Sequence, residues 1–229
     1  MRIRAYRDRF GDERFGLEID GRLLTGRALE RLGGLDEPDT HLGLDWMLAF
    51  GRGWQGQLSK AGRRAMRRGA KTIALHRRAP VAPFPAPGKI VCVGLNYAEH
   101  VAEGGRAVAE RPLLFAKFAN AVVADGEPVI RPEGTVALDL EVELGVVIGK
   151  RARRVAVEDA MAHVAGYVVV NDISARDWQG TPAALKPGQK GDGQWLRAKG
   201  SDTFLPMGPV FVTPDEVDPK AGLDRKSVV

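Results

Sequence analysis

The segment Leu138-Asp139-Leu140-Glu141-Val142-Glu143-Leu144 alternates apolar and acidic residues without a break. As a strand it sends the leucines and Val142 to one face and Asp139, Glu141 and Glu143 to the other. Like charges about 7 Å apart along one face repel one another. An edge strand facing water tolerates this, whereas an interior strand calls for a cation. The next residues, Val146-Val147-Ile148, are apolar on both faces and point to an interior position. A further carboxylate, Asp172, ends the β-branched run Tyr167-Val168-Val169-Val170-Asn171. Two glutamates at i and i+2 plus an aspartate from a neighbouring strand form an all-oxygen, hard-ligand set. That set suits Mg²⁺ or Mn²⁺ and leaves positions for water and substrate. The plainer alternative is a solvated acidic face, and Asp172 at the end of a valine-rich strand tips the balance towards metal.

Of the four histidines, His41, His76 and His163 fall in a loop, a basic segment and a helix end. His100 sits differently. The run from Val91 to Glu103 reads as strand, turn and helix, and places His100 and Glu103 on one helical face. A carboxylate beside an imidazole fixes its tautomer and raises its basicity, as a water-activating base requires. Taken alone, His-x-x-Glu more often marks an exposed helix pair.

These groups need a scaffold, and the composition supplies one. The 229 residues are 44% apolar, enough for a real core. The 28 glycines and 14 prolines favour short strands and turns over a helical bundle. Strands are predicted at Ile3–Tyr6, Phe15–Ile19, Leu23–Leu24, Lys89–Gly94, Leu113–Lys117, Val129–Arg131, Leu138–Ile148, Ala165–Val170 and Val210–Thr213, with an Asp20-Gly21 turn. Helices are predicted over Asp45–Arg68, with a break near Gly51 and Gly53, and over Val157–Val164. The stretch Pro80 to Gly88 carries four prolines and reads as an extended connector. The reading is a β-rich α+β chain: a small α+β domain over residues 1–79, a linker over 80–88, and the main body over 89–229.

A lone cysteine, Cys92, permits neither an internal disulfide nor a thiolate zinc site, and fits the cytoplasm. No apolar run suggests a signal peptide or a membrane span. The net charge of +5 is modest. The basic clusters at Arg63–Arg68, Arg77-Arg78 and Lys150–Arg154 lack interleaved aromatics, so a solvated arginine-rich surface is favoured over nucleic-acid binding.

Ordered motifs then add a resemblance. Gly94-Leu95-Asn96-Tyr97-Ala98-Glu99-His100, Pro112–Lys117, Asp139–Gly149, Asn171–Asp177 and Lys199–Pro209 together closely resemble the fumarylacetoacetate hydrolase family over roughly residues 89 to 215. The resemblance implies a mixed β-roll, commonly a homodimer, with Glu141, Glu143 and Asp172 as ligands of Mg²⁺ or Mn²⁺. It further implies His100 with Glu103 as the water-activating dyad and Lys199 as stabiliser of an oxyanion. Arg176 and Gln179 would contact the substrate's carboxylate or oxo groups. The implied reaction is hydrolysis of a C–C bond in an acylpyruvate-like 2-oxo acid, of the kind met in the catabolism of aromatic compounds. Decarboxylation, isomerisation or hydration would use the same residues. Members of the family continue past the Gly208-Pro209 segment with further strands and a Thr-Gly-Thr-Pro element that is not found here. The expectation is therefore a C-terminally incomplete roll, with an inert fragment as the contrasting outcome.

Overall fold

The computed structural model describes residues 1–36, 40, 44, 48, 53–97, 110–180, 184–187 and 193–223. In chain order the strands are β1 (Arg2–Arg7), β2 (Glu13–Ile19), β3 (Arg22–Leu24), β4 (Ile73–Ala74), β5 (Ile90–Gly94), β6 (Leu113–Lys117) and β7 (Val122–Ala124). They continue with β8 (Leu138–Asp139), β9 (Val142–Ile148), β10 (Val164–Asn171), β11 (Ser174–Ala175), β12 (Leu205–Met207) and β13 (Val210–Val212). The helices that matter here are α1 (Trp54–Arg67), α2 (Arg176–Gln179) and α3 (Trp195–Lys199). The fold is a β-rich α+β architecture with a mixed sheet.

Nine strands share one sheet, in the order β4-β3-β2-β1-β13-β10-β12-β7, with β9 also paired to β10. All its pairings are antiparallel except β12 with β7. Two small ribbons, β5–β6 and β8–β11, complete the strand pairing among the described residues. Sequence chemistry explains the first hairpin. Asp20 and Gly21 both take positive φ, 47° and 69°, which matches the twist of a tight turn joining β2 to β3.

The sheet passes directly from the N-terminal strands into the rest of the chain, because Ile3 of β1 lies opposite Phe211 of β13. Among the described residues, the larger of two apolar clusters spans this junction, and the smaller gathers Ala121, Ile173, Ala175, Phe204 and Leu205. Ile3, Phe15 and Leu17 pack with Leu58, Ala61 and Ala65 of α1 and with Val168 and Phe211. Phe84, from the proline-rich stretch, meets Phe211 edge-on at 5.3 Å, and Val81 and Ala82 are buried beside it. Gly166 lets β10 approach β13, since a Cβ there would stand 2.3 Å from the Val212 carbonyl oxygen.

Several elements depart from the sequence reading. Residues 157–163 form a 3₁₀ segment with no buried residue, so it has no apolar face to hold an α-helix. Val129–Arg131 takes no strand pairing. The long strand expected from Leu138 to Ile148 breaks at Leu140-Glu141. There the Asp139 carboxylate accepts from the Leu140 N–H and the Asn171 side chain accepts from the Glu141 N–H, removing two donors a ladder would use. Among the described residues β9 pairs only with β10, which makes it an edge strand rather than an interior one. Most of the first part of the helix expected from Asp45 lies outside the described residues.

Candidate active site

The site forms where β10 ends. Asp172 follows the last residue of β10 and donates its N–H to the Glu141 carbonyl at 2.8 Å, so one backbone contact ties the two carboxylate-bearing segments together. Ser174 and Asp139 lie opposite each other in the β11–β8 ribbon. Lys199 arrives from the end of α3, where Gly200 follows; a Cβ on Gly200 would meet the Leu196 carbonyl oxygen at 2.6 Å.

Glu141 and Asp172 converge on one positive centre. Lys199 Nζ donates to Glu141 Oε1 at 2.7 Å, to Asp172 Oδ2 at 2.5 Å and to Ser174 Oγ at 2.7 Å. Ser174 Oγ in turn donates to Glu141 Oε1 at 2.5 Å. The other Glu141 oxygen faces Arg176, whose Nη2 lies 2.9 Å away. Arg176 also donates to Asp139 Oδ2 from Nε at 2.9 Å and to the Gln179 side-chain oxygen at 2.8 Å. Burial alone would raise the Glu141 carboxyl. The charge and hydrogen bond of Lys199, the Ser174 hydroxyl and Arg176 outweigh it and hold the group at about 2, so Glu141 is an anion.

Lys117 closes the far side. It is fully buried, and its ammonium donates to the carbonyls of Ile173 (3.0 Å), Lys199 (2.5 Å) and Phe204 (2.7 Å). Asp172 Oδ1 lies 2.7 Å from the same Nζ. That oxygen makes no hydrogen bond of good geometry, so the contact is an ion pair in character. Burial drives the Lys117 ammonium below its ordinary range, against the opposing pull of Asp172. Cys92 of β5 lies in the same field. Burial, and then the Asp172 charge, push its thiol up to about 12.

The structure therefore brings Glu141, Asp172, Lys199, Arg176 and Gln179 together. Glu143 stands two residues beyond Glu141 on β9, opposite Val170. Among the described residues, no three carboxylate, histidine or cysteine side chains close up around one metal position. The donor set still fits a hard cation in part, because an ammonium already sits where Glu141 and Asp172 meet. His100 and Glu103 lie outside the described residues. Lys117 and Ser174 were not singled out from the sequence, although a lone charge ending the apolar strand Leu113-Leu114-Phe115-Ala116 was a signal for the first.

Carboxylates gathered around buried positive groups at a strand end form a site of the kind enzymes use to hold a cation and an anionic ligand. The chain belongs to the fumarylacetoacetate hydrolase family: the family described as "Fumarylacetoacetate (FAA) hydrolase C-terminal" matches residues 89–229. It is 48% identical over 137 residues to oxaloacetate tautomerase FAHD2A, mitochondrial, of Bos taurus, covering 60% of this chain and 41% of that protein. It is also 48% identical over 131 residues to the fumarylacetoacetate hydrolase domain-containing protein 2 homolog of Dictyostelium discoideum, covering 57% and 40%. Among solved structures, fumarylacetoacetate hydrolase from Exiguobacterium antarcticum matches with a TM-score of 0.65 and 30% identity over 96% of this chain and 69% of that one. The 5-carboxymethyl-2-hydroxymuconate delta-isomerase from Mycobacterium smegmatis matches with a TM-score of 0.63 and 28% identity, covering 96% and 69%. The chain thus spans about two fifths of the length of these curated relatives. Among the described residues no helix is long and apolar enough to cross a membrane.

Proposed function

We propose that the protein acts on small 2-oxo acids by stabilising an enolate, with keto–enol interconversion of an oxaloacetate-like acid as its reaction. The observation that carries this reading is the convergence of Glu141 and Asp172 on one buried positive centre, with Arg176 alongside. Glu141 and Asp172, with Glu143 next along β9, would hold Mg²⁺ or Mn²⁺, which supplies Lewis-acid stabilisation of negative charge on the 2-oxo group. Arg176 and Gln179, already joined to each other, offer donors to the acid's carboxylate. Lys199 supplies positive charge to the developing oxyanion. His100, with Glu103 fixing its tautomer, would carry the proton between the enol oxygen and the adjacent carbon.

Two relatives bear on the choice of reaction. FAHD2A is named an oxaloacetate tautomerase, and a solved neighbour is named a delta-isomerase. Hydrolysis of a C–C bond in an acylpyruvate is the second reading. It is favoured by the likeness to the Exiguobacterium hydrolase and needs His100 to activate water instead. A second copy of the chain is the proposed partner. The single Cys92 suits a reducing compartment, the cytoplasm in our reading, while FAHD2A is named mitochondrial.

The deciding experiment follows the ultraviolet absorbance of enol-oxaloacetate as it ketonises with the purified chain, in Mg²⁺, Mn²⁺ or EDTA. Acylpyruvates run in parallel, with detection of the released acid. Metal-dependent ketonisation above the buffer rate supports the first reading, and acid release the second. No acceleration of either rules out both.

A further inference from the structure

Two buried lysines flank Asp172, and they are held in different ways. The three hydrogen bonds of Lys117 go to backbone carbonyls of Ile173, Lys199 and Phe204, which tie it into the chain trace. Those of Lys199 all go to side chains: Glu141, Asp172 and Ser174. These are the oxygens that a hard divalent ion would itself take. Lys199 thus stands at the point of strongest attraction for a metal, and two positive centres cannot share that point in a buried site. The ammonium also lies over the Phe115 ring, 4.9 Å from its centroid, a contact that does not depend on the carboxylates.

We propose that Lys199 is a resident counter-ion. It holds Glu141 and Asp172 together without metal, and a divalent ion displaces it from both carboxylates, turning its ammonium towards an anionic ligand. This rests on the reading that the site takes a divalent ion. Two consequences follow. Metal affinity is set by competition with an internal ammonium, so removing that ammonium strengthens metal binding. Without metal, its removal leaves the Glu141 and Asp172 carboxylates facing each other with one cation fewer, so the metal-free protein loses stability.

The test is Mn²⁺ binding to the purified wild-type chain and to Lys199→Met, read from the electron paramagnetic resonance of free Mn²⁺, with melting curves in each state. Lys199→Met should bind Mn²⁺ at least about tenfold more tightly. Its melting temperature should fall without metal and rise more steeply than wild type when Mn²⁺ is added. Equal or weaker binding by the variant, while wild type binds, overturns the counter-ion role alone. Absence of Mn²⁺ binding in both proteins overturns it together with the metal reading. A second measurement covers a variant that fails to fold: ammonium spectra of ¹⁵N-lysine-labelled wild type, assigned with Lys199→Arg. Mg²⁺ should move the Lys199 signal further than that of Lys117, whose hydrogen bonds go to backbone carbonyls. A Lys199 signal that Mg²⁺ does not move overturns the proposal.

Discussion

Replacing Lys117 by methionine keeps most of the buried volume and removes the ammonium. The Phe204 carbonyl keeps the Ile173 N–H at 3.1 Å, so the change strips a partner from at most two buried carbonyls, those of Ile173 and Lys199. Each orphaned acceptor costs about 1–3 kcal/mol. Asp172 also loses one of its two cationic neighbours. Breaking a buried pair outright costs about 3–5 kcal/mol. Here Lys199 remains 2.5 Å from the other oxygen and limits that loss. Methionine in turn escapes the cost of burying an ammonium, which offsets part of the total. The expected net destabilisation is about 3–5 kcal/mol, a large share of the roughly 5–15 kcal/mol that holds a typical domain. Urea denaturation followed by far-ultraviolet circular dichroism measures it directly. A shift worth less than about 1 kcal/mol would refute the view that Lys117 is the backbone hub of the site.

Three other outcomes are expected. The Glu141 carboxyl lies at about 2 in the folded chain against an ordinary 4.5. Its folded value is depressed, so its contribution is fully present above the ordinary value and fades as pH falls through the folded one. The shift corresponds to about 3 kcal/mol, and Glu141→Gln should flatten the acid side of a stability–pH curve; parallel curves would assign the acid limb to other groups. Cys92, with its thiol raised to about 12, should react slowly with a thiol reagent near pH 8 until the chain is unfolded, and fast labelling of the native protein would contradict its burial. Gly166→Ala should lower stability by about 1–3 kcal/mol through overpacking against Val212 and Phe211, and a neutral result in thermal melts would show that β13 can move aside.

The sequence made some of this visible and hid the rest for physical reasons. Glu141 and Asp172 were legible because each belongs to a segment whose apolar pattern predicts a strand, and a carboxylate there needs an explanation. The break at Leu140-Glu141 was not, because the alternation continues through it. The side chains of Asp139 and Asn171 cause the break, and Asn171 is remote in sequence. Lys117 ends an apolar strand, a position where a lysine is usually solvated. Its true partners, at 173, 199 and 204, are contacts that no local spacing encodes. The pairing of β1 with β13 was equally hidden, because short strands carry no label for their partners.

That last pairing bears on how the chain acquires its shape. Along the edge of β1 away from β2, Tyr6 bridges to Pro80, whereas the first half is satisfied by β13, with Arg2 opposite Val212 and Arg4 opposite Val210. During synthesis that first half of the edge stays open until β13 has emerged. Closing the sheet then demands contacts of very long sequence separation, which slow folding and lengthen exposure to self-association. The same closure delivers β13 to the flank of β10, at Tyr167 opposite Val212. The strand that leads into Asp172 is therefore flanked on that side by the same β13 that pairs with β1.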